Sequence, residues 1–314
     1  MSTTKYANAV AAVRAMENSL MTRGDIDQLI NASTKAELES IIASRKGADG
    51  EKFTLEGVWE MIRGYAPDSS ELEILLYRND FHNLKAALKS MIAGREPERY
   101  YIRPTNLDLE ALYPAIAAKE YEQLPRYIRT VAEEAYELLT RTLDGQLADS
   151  VIDTAALSAM QKAAEESGSD FMKKYAQLTT VCADIKTAYR CSKMNKQRNF
   201  LELAVCGSRE LDKDDLVRAA LGGTEGLMSF LENSAYADAG KLLSESPAKF
   251  EKWCDDVIME LAETARMEAF GADPLAAYFI AAEAELKNLR ILTVCKESGT
   301  DRDTITERMR KLYV

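Results

Sequence analysis

The sequence predicts an all-α protein, and three observations carry that expectation. Apolar residues recur at steps of three and four through nearly every long segment. Helix breakers are scarce, with 15 glycines and 7 prolines among 314 residues, so few places can interrupt a helix. Alternating strand patterns are nearly absent, and the nearest candidate, 98–103, is short.

The elements can be justified in order. Tyr6, Val10, Val13, Met16 and Leu20 mark a first helical face. Thr34 followed by Glu37 has capping-box spacing, a hydroxyl with a carboxylate three residues on, and predicts a helix start there. Leu72, Leu75, Leu76, Phe81, Leu84, Leu88 and Ile92 continue the habit, as do Ile116, Leu124, Ile128, Val131, Ala135 and Leu138. Ser246-Pro247 and Asp273-Pro274 put proline in the first turn of a helix, where its missing N–H costs nothing. The helices that follow carry Trp253, Val257 and Leu261, then Phe279, Ala282, Leu286 and Leu289. Loops are expected at 45–51, 95–106, 144–145, 207–212 and 222–223, where glycine and polar residues gather.

Segments also recur at even spacing. Gly168-Ser-Asp-Phe-Met-Lys-Lys-Tyr175 resembles Gly271-Ala-Asp-Pro-Leu-Ala-Ala-Tyr278 at an offset of 103 residues. Asn83-Leu84-Lys85 resembles Asn288-Leu289-Arg290 at 205, and Asp68 precedes Asp170 by 102. A period near one third of the chain predicts one helical module built three times. The expected repeats are 1–100, 101–208 and 209–314, arranged as a funnel or ring around a central cavity. The segment from Ser298 to Ile305 resembles the polar lead-ins at 21–26 and 212–216, so the C-terminal helix is expected to close onto the first repeat. The two Asn-Leu-basic triplets are expected to fix equivalent helices within their repeats.

A net charge of −11 disfavours nonspecific binding to nucleic acid or to an anionic membrane. The five cysteines, Cys182, Cys191, Cys206, Cys254 and Cys295, include no C-x-x-C pair and point to a reducing, cytoplasmic compartment. No segment reaches the roughly 20 apolar residues of a bilayer span. The longest apolar run, Pro274–Ala282, has nine. Lys5, Arg14 and Glu17 make the N-terminus too charged for a signal peptide. Work at a membrane would therefore be done through another protein.

Chemistry is sparse. Phosphate-binding loops, dinucleotide fingerprints, zinc-protease and nucleophile-elbow motifs are all missing, and no catalytic residue, cofactor or metal is expected. The single histidine, His82, reads as structural or surface. Asp255-Asp256 with Glu260 one turn later resembles the magnesium-diphosphate motif of isoprenoid synthases. No second acidic cluster faces it, and an acidic solvated helix face is the plainer reading.

Charge is uneven. Between Lys186 and Arg209 lie six basic residues and one acid, Glu202. Lys186, Arg190 and Lys193 share a helix face at i, i+4, i+7 and are the candidate partner-binding residues. The stretch 251–273 is the converse, with seven acids against Lys252 and Arg266, and the two could simply neutralise each other. Tyr100, Tyr101, Tyr113, Tyr121 and Tyr127 suit either an interface or a core.

Several segments together resemble a family. Asn79-Asp-Phe-His-Asn-Leu-Lys85 and Glu283-Ala-Glu-Leu-Lys-Asn-Leu-Arg290 resemble helices of the C subunits of archaeal and bacterial A/V-type ATPases, relatives of the d subunits of eukaryotic V-type ATPases. The opening from Tyr6 to Arg14 and the closing segment from Gly299 to Val314 are similar to the family's ends. The middle copy departs from the pattern, with Asp184-Ile-Lys186 where the others have Asn-Leu-basic. The resemblance implies a non-catalytic, all-helical funnel of three domains. It would receive the central shaft, made of the D and F subunits, and rest on the membrane proteolipid (rotor) ring. It would sit on the cytoplasmic side and couple ATP turnover to H⁺ or Na⁺ transport. Two rival readings remain: a helical-repeat protein-interaction scaffold, and the magnesium-dependent isoprenoid-type synthase.

Overall fold

The computed structural model describes residues 3–46 and 53–314. The described residues form sixteen α-helices with a few 3-10 turns and no strand, so the protein is all-α. In chain order the helices are α1 (Ala7–Glu17), α2 (Arg23–Asn31), α3 (Lys35–Lys46), α4 (Leu55–Tyr65), α5 (Tyr77–Ala93), α6 (Leu109–Ala118), α7 (Arg126–Thr142) and α8 (Gly145–Ser167). Then come α9 (Asp170–Lys193), α10 (Arg198–Ala204), α11 (Lys213–Leu221), α12 (Gly223–Glu232), α13 (Ala237–Glu245), α14 (Pro247–Thr264), α15 (Asp273–Glu297) and α16 (Arg302–Arg308).

The chain divides into two compact units. One combines Met1–Leu72 with Leu242–Val314, and the other is Glu73–Lys241. In the first, α15 is the central helix, packed by α1, α4 and α14. The nine-residue apolar run in its first half is buried on every side, which is why it is apolar all round. Trp59 of α4 meets Phe279 edge-on, with ring centroids 5.4 Å apart. No described helix is long and apolar enough to cross a membrane. Farther along α15, Leu292 and Cys295 join Ile26, Leu29 and Leu38 of α2 and α3, and Ile305 of α16. The first and last segments of the chain thus share one core.

The second unit is built around α5 to α9. Phe81, Leu84 and Leu88 of α5, Leu112 and Ile116 of α6, five residues of α7, and Ala148, Ile152 and Ala156 of α8 form a continuous core. α8 turns back into α9 through Gly168, whose φ of +75° is the left-handed conformation glycine adopts without strain.

Local signals fare unevenly. Ser246 caps α14 with Pro247 in its first turn, and Pro274 sits in the first turn of α15. At Thr34 the hydroxyl accepts from Glu37 N–H at 3.2 Å, but the Glu37 carboxylate reaches Ser33 N–H at 2.8 Å instead of Thr34's own. The stripe from Ile116 to Leu138 is not one helix. Lys119 ends α6 in the left-handed region, and Pro125 holds Leu124 extended before α7 begins. Leu139, not Leu138, then faces the core. Of the loop expected at 45–51, Arg45 and Lys46 instead end α3, while 47–51 lie outside the described residues.

Candidate interaction surface

Three long helices each bury a polar side chain that grips backbone about twenty residues downstream. On α5, fully buried Asn83 accepts from Ile102 N–H at 2.8 Å and donates to Ile102 O at 2.9 Å. A neighbouring strand would make that same pair of bonds. This explains 98–103: a 3-10 turn at Glu98–Tyr100 leads into extended chain whose ladder partner is one asparagine. On α15, fully buried Asn288 holds Arg310 in the same way, accepting from its N–H at 2.8 Å and donating to its O at 3.2 Å. On α9 the equivalent is Asp184, which accepts from Cys206 N–H at 2.9 Å and Gly207 N–H at 2.7 Å. Two donors require two acceptors, so a carboxylate replaces the amide. Gly207 has φ +82°, and a Cβ there would lie 2.7 Å from Lys213 Cβ, so only glycine presents this pair of N–H groups. Burial pushes the Asp184 carboxyl up to about 6, against the pull of those two N–H groups and Lys213.

Two of the three helices add an acid one turn earlier. Asp80 of α5 accepts from Asn106 N–H, Asn106 Nδ2 and Tyr127 OH at 2.7–2.8 Å, and from the Thr105 hydroxyl. Burial raises its pKa despite these bonds. Glu285 of α15 accepts from Met21 N–H and pairs with Lys46, whose side chain is almost completely enclosed. The residue at that place on α9 is Val181, fully buried.

The predicted basic face lies on the last two turns of α9. Lys186 is half-buried and engaged, whereas Arg190 and Lys193 are exposed. Lys193 Nζ lies over the Tyr189 ring, 4.8 Å from its centroid. Further along, Lys196 reaches Gln146 Oε1 at 2.9 Å, and Arg198 pairs with Glu202 at 3.5 Å.

The acidic stretch is engaged within its own unit. Asp255 takes Arg310 Nε at 2.8 Å and Lys287 at 2.7 Å; Asp256 takes Lys252 and the Lys311 N–H at 2.7 Å. Glu260 and Glu263 pair with the Lys311 ammonium at 3.5 and 2.8 Å. The motif that resembled a magnesium site is the anchor of the C-terminal tail. Among the described residues no group of three or more His, Cys, Asp or Glu is placed to share a metal ion. His82 Nε2 lies 3.1 Å from Tyr100 O, on the wall of an open groove of about 350 Å³ that Lys85, Lys89, Arg95 and Asp149 also line. Of the tyrosines, Tyr101, Tyr113, Tyr121 and Tyr127 pack on the core of the second unit; Tyr127 also stacks on Tyr77 with centroids 4.3 Å apart.

Sequence reasoning found Asn83 and Asn288 but missed Asp80, Asp184, Glu285 and Lys46. The available signal was an acid three residues before each asparagine and its replacement by Val181 before Asp184.

Comparison with known proteins adds two findings. Residues 52–308 match the family model described as ATP synthase (C/AC39) subunit. The chain is also 24% identical over 325 aligned positions to the C subunit of the V-type sodium ATPase of Enterococcus hirae, an alignment covering 98% of this chain and 99% of that protein.

Proposed function

The chain belongs to the ATP synthase (C/AC39) subunit family, and from that premise we propose that it is the passive coupling piece of a rotary A/V-type ATPase. In this reading it lies on the cytoplasmic side, non-catalytic, between the D and F shaft subunits and the proteolipid ring. It links ATP turnover to H⁺ or Na⁺ movement. The observation that carries the proposal is the alignment with the C subunit of a V-type sodium ATPase, which covers 98% of this chain and 99% of that protein.

The geometry supports the reading through stiffness. A part that passes torque must not deform under it. Helices α8, α9 and α15, of 23, 24 and 25 residues, are each about 35 Å long and packed along their length. Buried Asn83 and Asp184 hold the connecting chain at Ile102 and at Cys206–Gly207, and buried Asn288 holds the tail after α16 at Arg310, so these stretches are tied down and not left as free loops. The recurrence of that tie on three helices supports division into three similar modules.

Within this reading Lys186, Arg190 and Lys193 form a docking face for the shaft or ring, with the exposed Arg190 and Lys193 foremost. The test is co-purification. A tagged chain expressed with the other ATPase subunits is expected to bring down shaft and ring. Complexes lacking it are expected to keep head-group ATP hydrolysis and lose ion pumping. Pumping that persists without this chain would end the proposal. Charge reversal at the exposed Arg190 and Lys193 is expected to weaken assembly while leaving the melting temperature of the isolated protein within about 2 °C, the scale of a small surface effect.

A further inference from the structure

We infer that one end of the second unit is the partner-binding face, and that its occupant is an acidic segment with an apolar tip belonging to a partner protein. The inference rests on the coupling reading above and specifies its contact. At this end the C-termini of α5, α7 and α9 surround the N-terminus of α8. Lys89 of α5 reaches Asp149 at 2.6 Å, and its Cε lies 4.0 Å from where a Cβ on Gly145 would be. Lys196, just past α9, reaches Gln146 at 2.9 Å. Leu143 caps α7 two residues before Gly145. Three chain segments therefore converge on the start of α8.

Three large apolar side chains stand in solvent there: Leu143 at 73% exposure, Met194 at 57% and Ile92 at 43%. Met194 caps α9, and Ile92 lies one turn beyond Lys89. Leu143 carries a second signal. It adopts φ +55°, the left-handed conformation that glycine takes at the ends of α5 and α8, at Gly94 and Gly168. A bulky residue in that conformation is strained, and an exposed leucine recovers nothing for it within the fold. Exposed apolar surface marks interaction sites, and backbone strain clusters at functional ones.

Charge selects the partner's chemistry. The chain carries −11 overall, yet this end presents exposed Arg190 and Lys193 with Lys196 beside them. Basic residues at helix C-termini also complement the helix dipole. That accounts for the cations but not for Leu143, Met194 and Ile92. A cationic rim around an apolar centre complements a carboxylate-bearing segment with an apolar tip. The strong net negative charge and the small apolar area favour a protein over an anionic bilayer.

The test compares wild type, Leu143→Gly, and the double variant Arg190→Glu/Lys193→Glu. Thermal melting of the isolated chain is read alongside affinity for the remaining ATPase subunits at low and high salt. Leu143→Gly is expected to keep or raise the melting temperature while weakening assembly at least tenfold. The double variant is expected to weaken assembly similarly and to flatten its salt dependence. Wild type that assembles while both variants match it within twofold overturns the surface and leaves the coupling reading standing. Wild type that does not assemble overturns both. Binding of wild type to phosphatidylserine vesicles, lost in the double variant, assigns the face to membrane and overturns the protein occupant.

Discussion

Helices α15 and α9 each run through the middle of a unit, and each holds a distant stretch of backbone with a buried side chain. α15 does it with Glu285 and Asn288; α9 has Val181 and Asp184 in the same places. α5, with Asp80 and Asn83, follows α15 although it shares a unit with α9. The difference comes from the backbone being held. Arg310 and Ile102 each offer one N–H and one C=O, which an amide matches. Cys206 and Gly207 offer two N–H groups, which only a carboxylate matches. Once the acid sits at the tie itself, the position one turn earlier is free to be apolar. Two polar systems result: in α15 a carboxylate paired with a buried cation, in α9 a carboxyl held by two peptide N–H groups, with the charge of Lys213 a lesser aid.

The sharpest way to break this comparison is to remove the cation. Lys46→Met removes the cation in contact with the enclosed Glu285 carboxylate, leaving it the Met21 N–H and the more distant charge of Arg45 among the described residues. An uncompensated buried charge is expected to cost about 3–5 kcal/mol, read from urea unfolding at neutral pH. Adding Glu285→Gln should recover much of that loss, because the buried charge is gone. A double variant as unstable as the single one would show that Lys46 matters for packing against Phe53, whose ring it covers at 3.7 Å, and not as a counter-ion.

The α9 system should instead respond to pH. The folded-state Asp184 carboxyl is raised from 3.8 to about 6, so folding favours its protonated form. Its stabilising contribution is full below about pH 4 and is lost as pH rises through about 6. A displacement of that size corresponds to roughly 3 kcal/mol. Asp184→Asn has no such titration. The destabilisation caused by that substitution is therefore expected to be larger at pH 4 than at pH 7 by up to about that amount. A pH-independent difference would mean that the carboxyl titrates in the fold as it does in the unfolded chain. Asn288 gives α15 no corresponding slope.

Much of this was legible in the sequence because it is local. Helical periodicity, the Ser246 cap, the first-turn prolines Pro247 and Pro274, and the matching triplets at Asn83 and Asn288 are short-range patterns. The middle tie was not legible. Asp184 looked like a failed copy of Asn because its identity is set by the backbone of Cys206 and Gly207, 22 and 23 residues away. Asp255 and Asp256 looked like a metal motif because their partners, Arg310 and the Lys311 N–H, lie 55 residues downstream. The stripe through Ile116 and Leu138 misled because spacing alone does not register that Pro125 forces the chain out of helix. In the basic face the composition was visible, but the half-burial of Lys186 was not, since neighbours on other helices decide it.

The smallest effect separates the two asparagines, which do the same work in different surroundings. Each is fully buried, but Arg310 is 8% exposed and Ile102 is 38% exposed. Truncating the asparagine strands an N–H and a C=O in both cases. Where water can reach them the loss is partly made good; where it cannot, the desolvation cost stays. Asn288→Ala is therefore expected to cost about 2–3 kcal/mol and Asn83→Ala about 1 kcal/mol, each by urea unfolding. The order matters more than either number. The segment after Tyr100 keeps other ties when Asn83 is cut, through Asn79 to Pro104 O at 2.8 Å and through Asp80 to Asn106. Asn288 also has company, since Asp255 holds the Arg310 side chain, but that bond leaves the Arg310 peptide unpaired. If Asn83→Ala proved the costlier substitution, solvent access would not be what sets the strength of these ties, and the stiffness ascribed to α5 would depend on Asn83 more than on Asp80.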